Sequence, residues 1–380
     1  MPTNRNGSPR NRQRLTSTAS EVRAIFDYFH QEPTYSYERI LGKGAYGIAC
    51  LLQEFQPGVP PRKFVVKRGI WDFGIDSVKN EVKLLEWLIG ASHIIQKIAL
   101  SDIDSIEEHL PGPTLITEYL RNGTLSNFIE RLGNTSQRVP NRLLWRLFLC
   151  LIRGCVALAF PPGWPTNIDL APETWPDGTT QDVQIAHNDM HSENVAFGDF
   201  TDEKEHDLSP ILKILDFGSA RVHDLSNPKE KTEFKSRDFD ATDVFSIGKL
   251  MLDVIYKRDS TVEDGDDTHT ISFGGGTFNT LAIELFQRGR TRPIYPNFDG
   301  DLAILVARCV SDSTATQPDL KELVGKASEA VRTRTSDHYL GIPEETDDQI
   351  RTLVQQLLHN ADVGDRDIHA DYEIPQDEIN

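Results

Sequence analysis

The hydrophobic period of the chain changes once, near residue 120, and no single-layer fold accommodates both halves. Residues 36–120 carry short β-type runs, SYERILG, GIACLLQEF, KFVVKR, IQKIAL and TLITEYL, with one helical stretch, SVKNEVKLLEWLIG, between the third and fourth. After the turn RNGT the spacing becomes helical, and helices are expected over 125–132, 141–160, 240–257, 279–288, 299–310, 318–332 and 344–359. A small antiparallel sheet with one helix, followed by a mainly helical part, predicts an α+β fold in two lobes with a cleft between them.

Composition bounds the function. With 380 residues the chain can bury a large core, and 40 basic against 58 acidic residues give a net charge of −18. That balance argues against general nucleic-acid binding, which needs a basic excess. Cys50, Cys150, Cys155 and Cys309 show no CxxC spacing, so free thiols in a reducing compartment are expected and structural zinc is not. The most apolar run, LLWRLFLCLIRGCVALAF at 143–160, is interrupted by Arg146 and Arg153 and closed by PPGWP, which predicts a core helix and no membrane span.

The first residues carry Arg5, Arg10, Arg12 and Arg14 among Asn, Ser, Thr and Pro, with no apolar h-region; a disordered basic arm over 1–21 is expected. Irregular insertions are expected at 163–181 and 258–276, and a disordered acidic tail at the end of 336–380.

The chemistry-bearing residues lie in a fixed order. LGKGAYG places Gly42, Gly44 and Gly47 between two strand-like runs, a hairpin that serves either as a tight turn or as a cover for phosphates, since glycine lets backbone N–H groups approach closely. Lys67 stands in the β-branched run FVVK, as an edge-strand charge or a phosphate ligand, and Glu81 on the following helix is either solvated or its counter-carboxylate. In HNDMHSENV, 187–195, His187 and His191 have the i, i+4 spacing of a metal pair, but Asn188 and Asp189 favour a loop. Asp189, Asn194 five residues on, and Asp216 in ILKILDFGSA supply two oxygen ligands for magnesium and a separate carboxylate.

This series resembles a eukaryotic-type protein kinase domain, whose glycine-rich loop, strand lysine, helix glutamate, catalytic loop and D-F-G stand here in order as GKGAYG, VVK, NEV, HNDMHSEN and DFG, over roughly residues 36–332. The resemblance implies a bilobal fold with an N-lobe and hinge over 22–120, a C-lobe over 121–335 and an extra C-terminal helix and acidic tail over 336–380. It implies ATP and Mg²⁺ as cofactors and a protein substrate, with Ser or Thr as acceptor. Leu41, Gly42, Lys43, Gly44, Ala45, Tyr46, Gly47 and Ala49 would cover the nucleotide, and Thr117, Glu118, Tyr119 and Leu120 would face the adenine. Lys67, pinned by Glu81, would grip the α- and β-phosphates, Asn194 and Asp216 would hold Mg²⁺, and Asp189 would take or orient the acceptor proton, with His191 near the γ-phosphate. Asp243, in ATDVFSIGKLML, would brace the catalytic-loop backbone.

The sequence departs from that pattern in four places. Asn188 replaces the arginine of H-R-D, no A-P-E follows the D-F-G, Gln317 stands for the late arginine that would pair with the A-P-E glutamate, and His191 replaces a lysine. Losing both halves of one ion pair is self-consistent, because losing one would strand a charge. The string D-x-H-x-x-N is also similar to aminoglycoside and choline kinases, so a small-molecule kinase and a pseudokinase binding module stand as alternatives. As a divergent kinase with a short segment after D-F-G, the chain resembles the protein-kinase-like domains of filamentous fungi, and an intracellular site, cytoplasmic or nuclear, is expected.

Overall fold

The computed structural model describes residues 18–44, 47–100, 106, 108–165, 171–201, 203–236, 242–258, 268–286, 297–358 and 374. The chain is α+β, as expected, and divides into two compact units: residues 1–79, 99–116 and 367–380, and residues 80–98 and 117–366.

In the first unit, helix α1 (Thr18–Gln31) buries Val22, Ile25, Phe26 and Phe29, one face at helical spacing, against strands β1 (Tyr35–Lys43) and β2 (Gly47–Glu54). Phe29 meets Tyr35 edge-on at 5.3 Å and Phe26 meets Tyr37 at 5.7 Å. Strand β3 (Arg62–Gly69) pairs antiparallel with β2, and β4 (Thr114–Glu118) completes the sheet in the order β1-β2-β3-β4.

The helix begins inside the stretch expected to be a disordered arm. Its first turn is held because buried Glu21 accepts from Arg68 Nε at 2.8 Å, while the same guanidinium donates to Thr114 Oγ1 at 2.6 Å and to the Leu110 and Pro111 carbonyls. A guanidinium in that position satisfies its whole fork only if the carboxylate arrives with it. Residues 1–17 of the expected arm lie outside the described residues.

Helix α2 (Trp71–Trp87) starts six residues before the expected 77. The expected strand IQKIAL is not formed; Lys97 makes an isolated bridge with Thr117, and Ile94, just before the run, makes one with Ile214. Gln96 explains this, because its side-chain Nε2 donates to the Ala91 and Ile94 carbonyls and its backbone N–H goes to the Glu118 carboxylate, so the ladder has no continuous partner.

The second unit is mainly helical. The helices are α3 (Leu125–Gly133), α4 (Asn141–Ala159), α5 (Pro228–Lys235), α6 (Asp243–Tyr256), α7 (Gly300–Cys309), α8 (Leu320–Thr333) and α9 (Asp347–Leu358). Short antiparallel pairs join β5 (Val183–Ala186) to β8 (Arg221–Asp224), β6 (Val195–Phe197) to β7 (Leu212–Ile214), and β9 (His269–Phe273) to β10 (Gly276–Thr280). In α4 every residue but Arg153 is buried, and it packs on α6, α8, β5 and β7. Its arginines reach acids at the edge of this core: Arg142 to Asp347 at 2.7 Å, Arg146 to Asp207 at 2.9 Å and Arg153 to Glu205 at 2.5 Å. Among the described residues no helix is long and apolar enough to cross a membrane.

Two further expectations are corrected here. The second insertion, whose residues 259–267 lie outside the described residues, supplies β9 and the turn of the β9/β10 hairpin, Gly274 and Gly275 at φ 60° and 84°. Paired positive φ angles are what a two-residue hairpin turn needs. Where a helix was expected over 279–288, residues 279–286 form the end of β10 followed by a single 3₁₀ turn, Ile283–Leu285, because Thr280 is held to the Ala307 carbonyl and Leu281 N–H to the Val310 carbonyl; 287 and 288 lie outside the described residues.

Candidate active site

The loop 187–194 connects β5 to β6 and is organised by His187, which is fully buried. Its Nε2 donates to the Leu215 carbonyl at 2.8 Å and its Nδ1 accepts from Asp189 N–H at 3.3 Å, a neutral tautomer. Burial pushes this imidazole below its ordinary value, which keeps it neutral. Asp243 Oδ1, at the first turn of α6, accepts the His187 backbone N–H at 3.1 Å. His187 is thereby a structural post, and the alternative of a His187/His191 metal pair does not hold.

Around that post the loop turns sharply. Asn188 is left-handed at φ 60°, a region asparagine tolerates, and its side chain donates to the Ser219 carbonyl at 3.2 Å. Asp189 and His191 are both about half exposed, with His191 Nε2 3.7 Å from Asp189 Oδ1. Asn194 Nδ2 donates to the Asp189 carbonyl at 2.8 Å and lies 3.0 Å from His191 Nε2. These three predicted residues therefore form one hydrogen-bonded group.

Asp216 follows β7, whose register pairs Ile214 with Val195 and sets Leu215 N–H 2.8 Å from the Asn194 carbonyl. The aspartate is itself left-handed, φ 57°, with Oδ1 accepting Gly218 N–H at 3.2 Å. Helix α2 holds the next residue: Glu81, 3% exposed, accepts Phe217 N–H on Oε1 at 3.3 Å. Asn80 adds two bonds from Nδ2, to the Phe217 carbonyl at 3.2 Å and the Ala220 carbonyl at 2.9 Å. Sequence reading passed over Asn80, though an amide beside the singled-out Glu81 was the available signal.

Thr117 to Leu120 continue from β4. Thr117 is buried, and Glu118 is committed to structure: its carboxylate accepts Lys213 Nζ at 2.6 Å and Gln96 N–H at 2.9 Å, and its own N–H donates to the Gln96 carbonyl at 3.1 Å. Leu120 offers its carbonyl to Gly123 N–H at 3.4 Å, and Tyr119 lies between these two.

The first unit holds the other predicted residues. The hairpin registers Gly42 with Ala49 and Lys43 with Ile48, and Gly44 N–H donates to the Gly47 carbonyl at 2.9 Å. Leu41 is the extra residue at the register shift, and Ala45 and Tyr46 lie outside the described residues. A Cβ added to Gly42 or Gly44 would meet nothing within 4 Å, whereas one on Gly47 would lie 2.5 Å from the Arg68 carbonyl oxygen. Packing within the first unit demands the third glycine and leaves the other two open. Lys67 pairs across from Ala49, and strand alternation puts it on the face opposite Phe64, Val66 and Arg68.

Where the sequence lacks the late arginine, Gln317 Nε2 donates to the Cys309 carbonyl at 3.0 Å, and its Oε1 accepts from Thr242 Oγ1 at 3.1 Å. Neutral partners replace the absent ion pair.

No family model matches the chain. It is similar to calmodulin-binding receptor-like cytoplasmic kinase 3 of Arabidopsis thaliana, with 24% identity over 272 residues, which cover 67% of this chain and 46% of that protein. The chain thus spans about half the length of that relative. The comparison supports a kinase-like domain and lends none of its weight to a fungal affinity.

Proposed function

We propose that the chain is a protein kinase that moves the γ-phosphoryl group of ATP to a serine or threonine hydroxyl. The observation that carries this reading is the group Asp189, His191 and Asn194: with Asn194 Nδ2 donating to the Asp189 carbonyl, the amide oxygen is the ligand left for a cation. Asn194 and Asp216 offer the hard oxygen donors that Mg²⁺ takes, and the open space over Gly42 and Gly44 fits close approach of phosphates. Bound Mg²⁺ would neutralise charge on the phosphate oxygens.

In this reading Lys67 and Glu81 keep the roles the resemblance gives them. Asp189 holds the acceptor hydroxyl and receives its proton as the oxygen bonds to the γ-phosphorus. The bond from that phosphorus to the bridging oxygen breaks, and ADP leaves with the electron pair. Buried free thiols fit a reducing compartment, cytoplasm or nucleus.

The test is label transfer from γ-labelled ATP to a panel of Ser- and Thr-containing proteins. Asp189→Ala is expected to cut transfer by about 10²–10⁴-fold, and undiminished transfer in that variant refutes the assignment. The contact of His191 with Asn194 and Asp189 favours a second reading, a small-molecule kinase: labelling of aminoglycosides or choline with no protein labelling would select it. No thermal shift with saturating Mg-ATP would select a pseudokinase.

A further inference from the structure

Three buried donors from separate segments meet in the second unit, away from the residues above. His93 follows α2, Cys150 lies in α4 and His206 lies between β6 and β7, and one donor atom from each falls within 4.8 Å of the others. They are 3%, 1% and 2% exposed. Cys150 Sγ is 3.8 Å from His206 Nδ1, and the two imidazole centroids are 5.2 Å apart.

A carboxylate orients the first ring. Glu173 Oε2 is 2.8 Å from His93 Nδ1, and its Oε1 accepts the His93 backbone N–H at 2.6 Å. That leaves His93 Nε2 with no hydrogen-bond partner, and His206 Nε2 has none either. A buried ring nitrogen that nothing satisfies carries an uncompensated desolvation penalty. Around a tetrahedral zinc ion, nitrogen at about 2.0 Å and sulfur at about 2.3 Å stand roughly 3.3–3.5 Å from one another; the three donors here, all within 4.8 Å of one another, would draw in around a bound ion. A carboxylate on the far nitrogen of a ligating histidine is the usual outer support of such a site.

We propose that His93 Nε2, Cys150 Sγ and a ring nitrogen of His206 bind a Zn²⁺-type cation, with Glu173 as the positioning residue for His93. Arg153 braces the surroundings, donating to the Glu173 carbonyl at 2.9 Å and to Glu205, the neighbour of His206. The site ties the turn after α2, helix α4 and the 203–208 segment together, and Glu173 adds the first insertion. His93 also accepts Ile214 N–H on its carbonyl at 2.9 Å, two residues before Asp216. Cysteine spacing pointed away from zinc because two of the three ligands are histidines far off in sequence.

The experiment uses the full chain, purified without chelator, with metal content measured by mass spectrometry and the stripped protein titrated with Zn²⁺ and Co²⁺. About one zinc per chain is expected, with a Co²⁺–thiolate charge-transfer band and a higher Tm on reloading. Cys150→Ser should abolish the band, while Cys309→Ser leaves it. Glu173→Gln, which keeps the fold should Cys150→Ser fail, should weaken Zn²⁺ by about 10–100-fold. Absence of zinc uptake and of the band in the unaltered chain, or Zn²⁺ affinity unchanged in Glu173→Gln, overturns the proposal. None of these readings depends on phosphoryl transfer.

Discussion

Replacing Gly42 and Gly47 by alanine, one at a time, should move stability in opposite directions although both glycines belong to one motif. At Gly47 the new Cβ would sit 2.5 Å from the Arg68 carbonyl oxygen, a backbone atom that no side-chain rotation relieves. That is about 1 Å inside an ordinary contact, so β2 and β3 must part where they pair, at a cost of about 1–3 kcal/mol. At Gly42 nothing lies within 4 Å and φ is outside the left-handed region, so the methyl group chiefly restricts the unfolded chain and stabilises by about 0.4–1 kcal/mol. The two variants should therefore differ by about 1.4–4 kcal/mol in urea unfolding, with hydrogen exchange across 35–69 assigning the change to the first unit. Equal losses in both variants, or a neutral Gly47→Ala, would refute reading those glycines from the space around them. Gly44→Ala carries the functional half: its fold should be intact, and ATP affinity should fall about tenfold, ~1.4 kcal/mol.

Further perturbations test other joints. Asp299 caps α7 through Asp301 and Leu302 N–H, accepts Trp145 Nε1 at 3.1 Å and Tyr339 OH at 2.5 Å, and pairs with Arg334; Asp299→Ala should cost about 3–5 kcal/mol by calorimetry. Burial pushes this carboxyl up, but its bonds with Tyr339, Arg334 and Trp145 bring it below the ordinary value. Its contribution is therefore complete above the unfolded value near 3.9 and is lost as pH falls through the folded one. Asp299→Asn should accordingly flatten the acid limb of the stability profile below about pH 4. Asn80→Ala should speed hydrogen exchange at 217–220 and cost about 1–3 kcal/mol, since two carbonyls lose their donor. Arg68→Met should cost about 3–5 kcal/mol by stranding Glu21, and the double variant with Glu21→Leu should recover most of it in a double-mutant cycle.

What could be read from sequence divides by range. Alternation in FVVK and helical spacing in VKLLEWL are local, so the first sheet and α2 could be recognised from neighbouring residues alone. IQKIAL misled because its composition suits a strand while the Gln96 side chain takes over neighbouring carbonyls. The β9/β10 hairpin was legible in SFGGGTFNT but was masked by the acidic, glycine-rich run before it. In the candidate site, a loop was legible at Asn188 and Asp189 from residue types that favour turns. The latch of Asn80 onto residues 217–220 and the meeting of His93, Cys150 and His206 are contacts between distant segments, which only the fold creates.

The amide at Gln317 bears on how such a chain is governed. Its partners, a hydroxyl and a carbonyl, hold the start of α6 with a grip that changes little with ionic strength, unlike a carboxylate–guanidinium clasp. With Asn188 where a cation would otherwise wait, a phosphate added to the 221–236 stretch would find no charge at either place to draw it in. A phosphomimetic acid in that stretch should therefore leave the loop around Asp189 where it stands, as hydrogen exchange at 187–194 would read.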